Sequence, residues 1–254
     1  MQKNPKIIFK PITLEENITI IQKFYFGEGE KSEIHNLLCE YFPELHDIHK
    51  NISKEEISTK ISAIISNYYT SNSQNIREAC KKYSAIWNKY NDTYFKKLAN
   101  YLNINCPINI NEITCYVGML PFFPRDIDNY TFYINPHLNE EKLTEVCAHE
   151  TLHFLWFTKW KTLYPEIPKV EYESPYLAWQ YSEMVTDPIL NNSEFQTIFN
   201  FTEKSYLEFY KLQKNGKLVM EELKKIYSAS TNIEDKITTG YEYLKNLNFK
   251  EMEK

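Results

Sequence analysis

The chain has 254 residues, of which 43% are hydrophobic and 25% charged, the balance of a globular protein with a substantial core. Its net charge of −5 argues against a dedicated nucleic-acid binder, because such proteins carry an excess of Lys and Arg. No segment approaches the ~18 consecutive apolar residues of a membrane-spanning helix, and the first residues lack a signal-peptide pattern. We therefore expect a cytoplasmic protein with neither nucleic-acid nor membrane partners.

The cysteines indicate a reducing compartment. They are odd in number, unevenly spaced and without a Cys-x-x-Cys pair, so neither a disulfide framework nor a zinc ribbon is expected. Reduced thiols are the simplest interpretation. The five positions are Cys39, Cys80, Cys106, Cys115 and Cys147.

Helical patterns dominate residues 1–106, after a short β-branched segment at residues 7–9 that predicts one strand. Capping boxes at Thr13 and Ser53, each with Glu three residues later, predict two helix starts. A break is expected near residues 70–73. The predicted helices cover residues 13–25, 32–41 and 53–102.

The pattern changes after Pro107. Residues 113–117 and 130–135 predict two strands, and residues 119–129 between them read as a loop that contains two prolines. A helix over residues 139–157 follows, with Asn139 as its N-cap.

An irregular connection is predicted at residues 158–174. A helix that begins at Pro175 is expected to end by Asp187, because Pro188 follows. Two or three further helices from residue 193 complete the chain. Gly216 and Gly240 are expected to separate them. The scarcity of glycine also favours helices, and we predict an α+β fold that is predominantly helical.

Residues 149–153 read His-Glu-Thr-Leu-His in the middle of the predicted helix 139–157. On a helix, His149 and His153 lie on one face and can bind one ion together. Glu150 lies about 100° around the helix and can reach a water on that ion without displacing it. This spacing is typical of zinc hydrolases, so we predict a Zn²⁺ site with Glu150 as general base. The alternative is that the three residues satisfy one another as buried polar groups.

A catalytic zinc needs a third protein ligand and an open position for water. Glu183 and Glu173 compete for this role. Glu173 has no carboxylate one turn later, because position 177 is Leu, and Glu171 has the same weakness. Glu183 is favoured because Asp187 follows one turn later and is able to accept the spare N–H of a ligand histidine.

The pair of motifs, residues 149–153 and Glu-Met-Val-Thr-Asp at 183–187, resembles the gluzincin group of zinc metallopeptidases, the thermolysin-like superfamily. The resemblance covers residues 113–190. It implies a zincin-like core, in which an edge strand beside the active-site helix receives the substrate backbone, and residues 130–135 fit that strand. The gap of 30 residues between His153 and Glu183 is longer than in the thermolysin pattern.

This resemblance implies a peptidase with a peptide or protein substrate. The expected organisation is a helical N-terminal region, 1–106, and a zincin-like catalytic region, 107–254, within one compact unit. Related enzymes use a Tyr or His to stabilise the oxyanion. Gly-Tyr-Glu-Tyr at 240–243 resembles a segment of some helical oligopeptidases and makes Tyr241 the first candidate. The other candidates are Tyr172, Tyr176 and Tyr181.

Two other functions are compatible with the sequence. The zinc is structural if a fourth protein ligand such as Glu173 closes the site, and the protein is then a binding or interaction module. The surplus of helices outside the motifs also allows a helical interaction module. His46 and His49 suggest a second metal pair, but without further ligands they are better interpreted as surface histidines.

Overall fold

The computed structural model describes residues 4–27, 33–48, 52–104, 110–202, 204–229, 231–245 and 247. In these residues the protein has an α+β fold that is predominantly helical, as predicted. The helices are α1 (Leu14–Gly27), α2 (Glu33–Tyr41), α3 (Lys54–Trp87), α4 (Asn91–Tyr101), α5 (Glu140–Leu163), α6 (Leu177–Met184), α7 (Thr186–Leu190), α8 (Ser193–Gln196), α9 (Val219–Ser228) and α10 (Ile233–Leu244).

Six strands and three 3₁₀ turns accompany these helices in the described residues. The strands are β1 (Lys6–Pro11), β2 (Glu112–Val117), β3 (Arg125–Asp126), β4 (Thr131–Ile134), β5 (Gln213–Lys214) and β6 (Lys217–Leu218). The 3₁₀ turns cover Pro43–Asp47, Lys169–Tyr172 and Leu207–Lys211.

The chain forms two compact units that interleave along the sequence. One contains Lys6–Lys89 and Glu112–Leu143; the other contains Met1–Pro5, Tyr90–Asn111 and Thr144–Lys254. The predicted division at 106/107 coincides with none of the boundaries between these units. The reason is that β1 pairs in parallel with β2, which joins residues 6–11 to residues 112–117.

The first of these units contains a four-stranded sheet in the order β1-β2-β4-β3. β1, β2 and β4 are parallel, and β3 is antiparallel to β4. The segment 130–135 was expected to be an edge strand, and this is wrong: β4 lies between β2 and β3. The edge strand β3 lies in the segment that was expected to be a loop. That segment contains two prolines, which disfavour the prediction of a strand, yet it pairs with β4, and the Tyr133 N–H donates to the Pro124 carbonyl at 3.0 Å.

Helix α3 continues without a break where residues 70–73 were expected to interrupt it. Ile65 before this segment and Ile76 after it are both buried, so packing carries the helix through polar residues of weaker propensity. The Asn72 side chain donates to the Tyr68 carbonyl at 2.8 Å and is accommodated within the helix. Both predicted capping boxes, at Thr13 and Ser53, are confirmed.

The cysteines of the described residues are buried and outside disulfides: Cys39, Cys80, Cys115 and Cys147. Cys106 and His49 lie outside the described residues. In the described part of the chain, no helix combines the length and apolar character needed to span a bilayer.

Two glycines near the C-terminus have different roles. Gly216, with φ of +74°, follows Asn215 in the turn between β5 and β6, where a left-handed backbone favours an Asn-Gly pair. Gly240 was expected to separate helices, and this is wrong, because it lies inside α10. A Cβ at Gly240 would lie 2.1 Å from the Tyr181 hydroxyl oxygen, so only glycine leaves room for that side chain.

We expect Gly240→Ala to destabilise the protein by about 1–3 kcal/mol, the usual effect of overpacking a core. The Tyr181 hydroxyl would be displaced from its hydrogen bonds to the Tyr227 hydroxyl at 2.9 Å and the Ile237 carbonyl at 3.1 Å. This loss exceeds the gain in helix propensity of up to ~1 kcal/mol. Urea denaturation measures the change. Gly27→Ala, where a Cβ meets open space, is the control, and equal stability of the two variants would contradict the prediction.

Candidate metal site

The helix that carries the His-Glu-x-x-His motif is buried on nearly all sides. The Asn139 side chain accepts from the Lys142 N–H at 2.8 Å, as expected of an N-cap. α5 extends to Leu163, six residues beyond the predicted end at Phe157, because Trp160 is fully buried. The Thr158 hydroxyl is accommodated within the helix and donates to the Phe154 carbonyl at 2.8 Å. The motif therefore lies in the middle of a rigid element.

The third candidate ligand comes from α6, which starts at Leu177, two residues later than expected. Tyr176 takes an extended conformation as the N-cap. The helix ends at Met184, and the separate short helix α7 then accommodates Pro188 in its first turn, where the missing N–H is tolerated. Glu183 is therefore the second-last residue of α6. It is 1% exposed.

His149, His153 and Glu183 form a compact group of possible metal ligands, the one such group found among the described residues. The two Nε2 atoms lie 3.0 Å apart. One Glu183 oxygen lies 3.3 Å from His149 Nε2, and the other lies 3.4 Å from His153 Nε2. A tetrahedral zinc with Zn–N bonds of about 2.0–2.1 Å separates its ligand atoms by about 3.3 Å. The donor set and its spacing therefore fit Zn²⁺.

Burial differs among the three donors. The side chains of His153 and Glu183 are 0% and 2% exposed, whereas that of His149 is 18% exposed. A carboxylate so deeply buried requires a cation or several hydrogen-bond donors. The group is thus enclosed on most sides and reachable beside His149.

Glu150 lies next to His149 on α5 and is 5% exposed. Its charge is close enough to the Cys147 thiol to raise the pKa of that thiol further, after burial has already raised it. Burial and the neighbouring carboxylate both favour the protonated form of the Cys147 thiol.

The competing ligand Glu173 is exposed and lies just after the 3₁₀ turn Lys169–Tyr172. Glu171, the other alternative, is only half-buried. The structure brings Glu183 into contact with both histidines, which favours it as the third ligand.

Asp187 is buried, and its described contacts are with residues other than the two histidines. Its oxygens accept from Asn191 Nδ2 at 2.8 Å and from the Tyr210 hydroxyl, and Lys224 Nζ lies 3.1 Å away. The hydrogen bond expected from a ligand histidine stays a prediction. Tyr210 and Lys224 could not have been linked to Asp187 from the sequence, because 23 and 37 residues separate them from it.

Tyr241 packs as a core ring, against Trp160 at 4.7 Å and Tyr164 at 4.9 Å between ring centroids. Trp160 lies about 10 Å further along α5 than His153, at 1.5 Å per residue. Tyr181, another candidate, uses its hydroxyl to bond Tyr227. The structure does not bring Tyr241 into contact with the three ligands in any described interaction, and its role as oxyanion donor stays a prediction.

Of the remaining candidate donors, Tyr176 is 43% exposed and Tyr172 is buried. Tyr172 stacks on Phe157, one turn after His153. No sequence pattern indicates this contact, since aromatic residues are too frequent in the chain for any one pair to stand out.

Comparison with protein-family models, with curated proteins and with solved structures gave no match. Conclusions about function therefore depend on the residues of the site.

We expect wild-type protein to contain about one zinc ion per chain after dialysis against zinc-containing and then metal-free buffer. His153→Ala and Glu183→Gln each remove one of three ligands and should lower the bound zinc to near zero, as measured by inductively coupled plasma mass spectrometry. Glu173→Gln is the matched control and should retain the wild-type content. A folded wild-type protein that takes up no zinc would refute the site.

Proposed function

We propose that this protein is a zinc-dependent hydrolase of the metallopeptidase type. The observation that supports the proposal is the convergence of His149, His153 and Glu183 on a single position, with Glu150 between the two histidines on the same helix. Two imidazoles and one carboxylate are a ligand set of catalytic zinc in hydrolases.

A zinc ion held by His149, His153 and Glu183 would lower the pKa of a bound water and act as a Lewis acid toward the scissile carbonyl of the substrate. The protein supplies the proton transfers. Glu150 accepts the proton that the attacking water loses, and it returns that proton to the departing amine. Burial of Glu150 limits competing water at this carboxylate.

The number of protein donors favours a catalytic over a structural zinc. The group found among the described residues has three donors, and a zinc ion held by three protein ligands would keep a position open for water or substrate. The exposure of His149 gives that position a route to solvent. Glu173, the residue considered as a closing fourth ligand, is exposed.

The proposal extends to the fold and the compartment. A strand, β4, precedes the motif helix α5, and the glutamate helix α6 follows, which is the order expected of a zincin-like core. The cysteines of the described residues are buried and outside disulfides, which supports a cytoplasmic location, because reduced thiols persist there. A peptide or protein is the proposed substrate.

The alternative is a non-catalytic protein with a structural zinc. The near-complete burial of His153 and Glu183 favours it, because structural sites are closed. Cobalt substitution separates the two functions: a spectrum that changes when a hydroxamate is added indicates an open position, whereas an unchanged spectrum indicates a closed site.

We expect Glu150→Ala to keep the wild-type zinc content and to lower the rate of peptide hydrolysis by at least ~100-fold, because the general base is lost. Cleavage of a fluorogenic peptide library, with zinc content measured in parallel, tests this. Glu141→Gln, an exposed position on the same helix, is the control and should retain activity. Full hydrolysis by Glu150→Ala would show that the base is wrongly identified.

A further inference from the structure

Three rings in series connect the candidate ligand His153 to the segment between α5 and α6. The ring centroids of His153 and Phe157 lie 6.5 Å apart with an interplanar angle of 25°. Those of Phe157 and Tyr172 lie 4.4 Å apart at 21°. Both pairs are nearly parallel and within the range of attractive aromatic contacts. Trp156 meets Phe157 edge-on at 5.1 Å and restricts its rotation.

Tyr172 is the buried member of a turn whose other residues are exposed or half-buried. It ends the 3₁₀ turn Lys169–Tyr172 within the connection 164–176, and it is 4% exposed, whereas Val170 is 59% exposed. The described backbone hydrogen bonds of this connection are local, for example the Glu171 N–H to the Pro168 carbonyl at 3.0 Å. The Tyr172 ring is therefore a tertiary anchor that ties the turn to α5.

The position of this anchor matters for the metal ligands. The two histidines lie on α5, and Glu183 lies on α6, which begins five residues after Tyr172. A flexible connection of 13 residues would let α6 move relative to α5. Bringing Glu183 against the two histidines would then cost the conformational entropy of closing that loop. Fixing the connection close to the start of α6 removes much of that freedom.

We propose that Tyr172 is a positioning residue of the metal site, which acts through Phe157 on the ring of His153 and through the connection on Glu183. The inference depends on the proposed zinc site. The ring performs this role, not the hydroxyl. Burial raises the pKa of the Tyr172 hydroxyl, so the side chain is neutral at physiological pH.

Zinc affinity, measured by competition with a chromophoric chelator on the full chain, tests the proposal. Tyr172→Phe keeps the stack and should bind zinc within about 2-fold of wild type. Tyr172→Ala and Tyr172→Leu remove the stacked plane and should weaken zinc binding by about 10–100-fold, the usual cost of losing an outer support of a metal site. Tyr172→Leu keeps apolar bulk and guards against a variant that fails to fold.

Tyr164→Ala is the matched control. Its ring contacts Trp160 and Tyr241 at the beginning of the same connection and takes no part in the stack. We expect it to change zinc affinity by less than about 3-fold. The visible spectrum of the cobalt-substituted protein gives a second readout: it should shift in Tyr172→Leu and stay unchanged in Tyr172→Phe and Tyr164→Ala.

The outcomes separate this inference from the proposed function. If wild type binds zinc and Tyr172→Leu binds it equally well with an unchanged cobalt spectrum, the positioning role is refuted and the zinc site stands. If Tyr172→Phe loses affinity as strongly as Tyr172→Leu, stacking is not the cause and the inference is also overturned. A wild-type protein that binds no zinc refutes the proposed function together with the inference.

Discussion

The burial of the Glu183 carboxylate constrains the larger helical unit of this protein. A charge removed from water costs several kcal/mol unless a cation or donors replace the lost hydration. Here each carboxylate oxygen faces a different imidazole, and both imidazoles come from one face of α5. The position and orientation of α6 relative to α5 are thus tied to the placement of three polar side chains in an apolar interior.

Aromatic packing makes that placement possible. α5 is surrounded by large buried rings, including Trp156, Phe157 and Trp160. Rings fill space with few rotatable bonds, so they hold a helix in register at low entropic cost. One of these rings also supplies a hydrogen bond beside the motif, because the Tyr94 hydroxyl donates to the Ala148 carbonyl at 2.6 Å. A rigid frame of this kind is what a preorganised metal site requires.

Asp187 illustrates how a second buried charge is satisfied close to the first. It lies one turn after Glu183 and is held by Lys224 of α9 as well as by the Tyr210 hydroxyl. Lys224 supplies the compensating charge, and two hydrogen-bond donors, Tyr210 and Asn191, complete its surroundings. The two neighbouring carboxylates thereby have separate partners.

Local patterns in the sequence predicted those features that depend on neighbouring residues. The capping boxes at Thr13 and Ser53, the N-cap Asn139 and the pair His149 and His153 all involve residues within four positions, so helix geometry alone determines them. Features that depend on distant segments were missed or wrong. The pairing of β1 with β2 and the edge position of β3 require contacts that no local pattern encodes.

The same distinction applies to the site. The sequence by itself determined the two histidines, the glutamate between them and a short choice of third ligands. The sequence also favoured Glu183 among them, because Asp187 follows one turn later. Only the tertiary structure brought the Glu183 carboxylate against both Nε2 atoms, because burial and approach depend on how α6 packs against α5. The tertiary structure likewise decided that Gly240 lies within a helix. The Tyr181 hydroxyl occupies the space that a side chain at position 240 would take, and Tyr181 is 59 residues away in the chain.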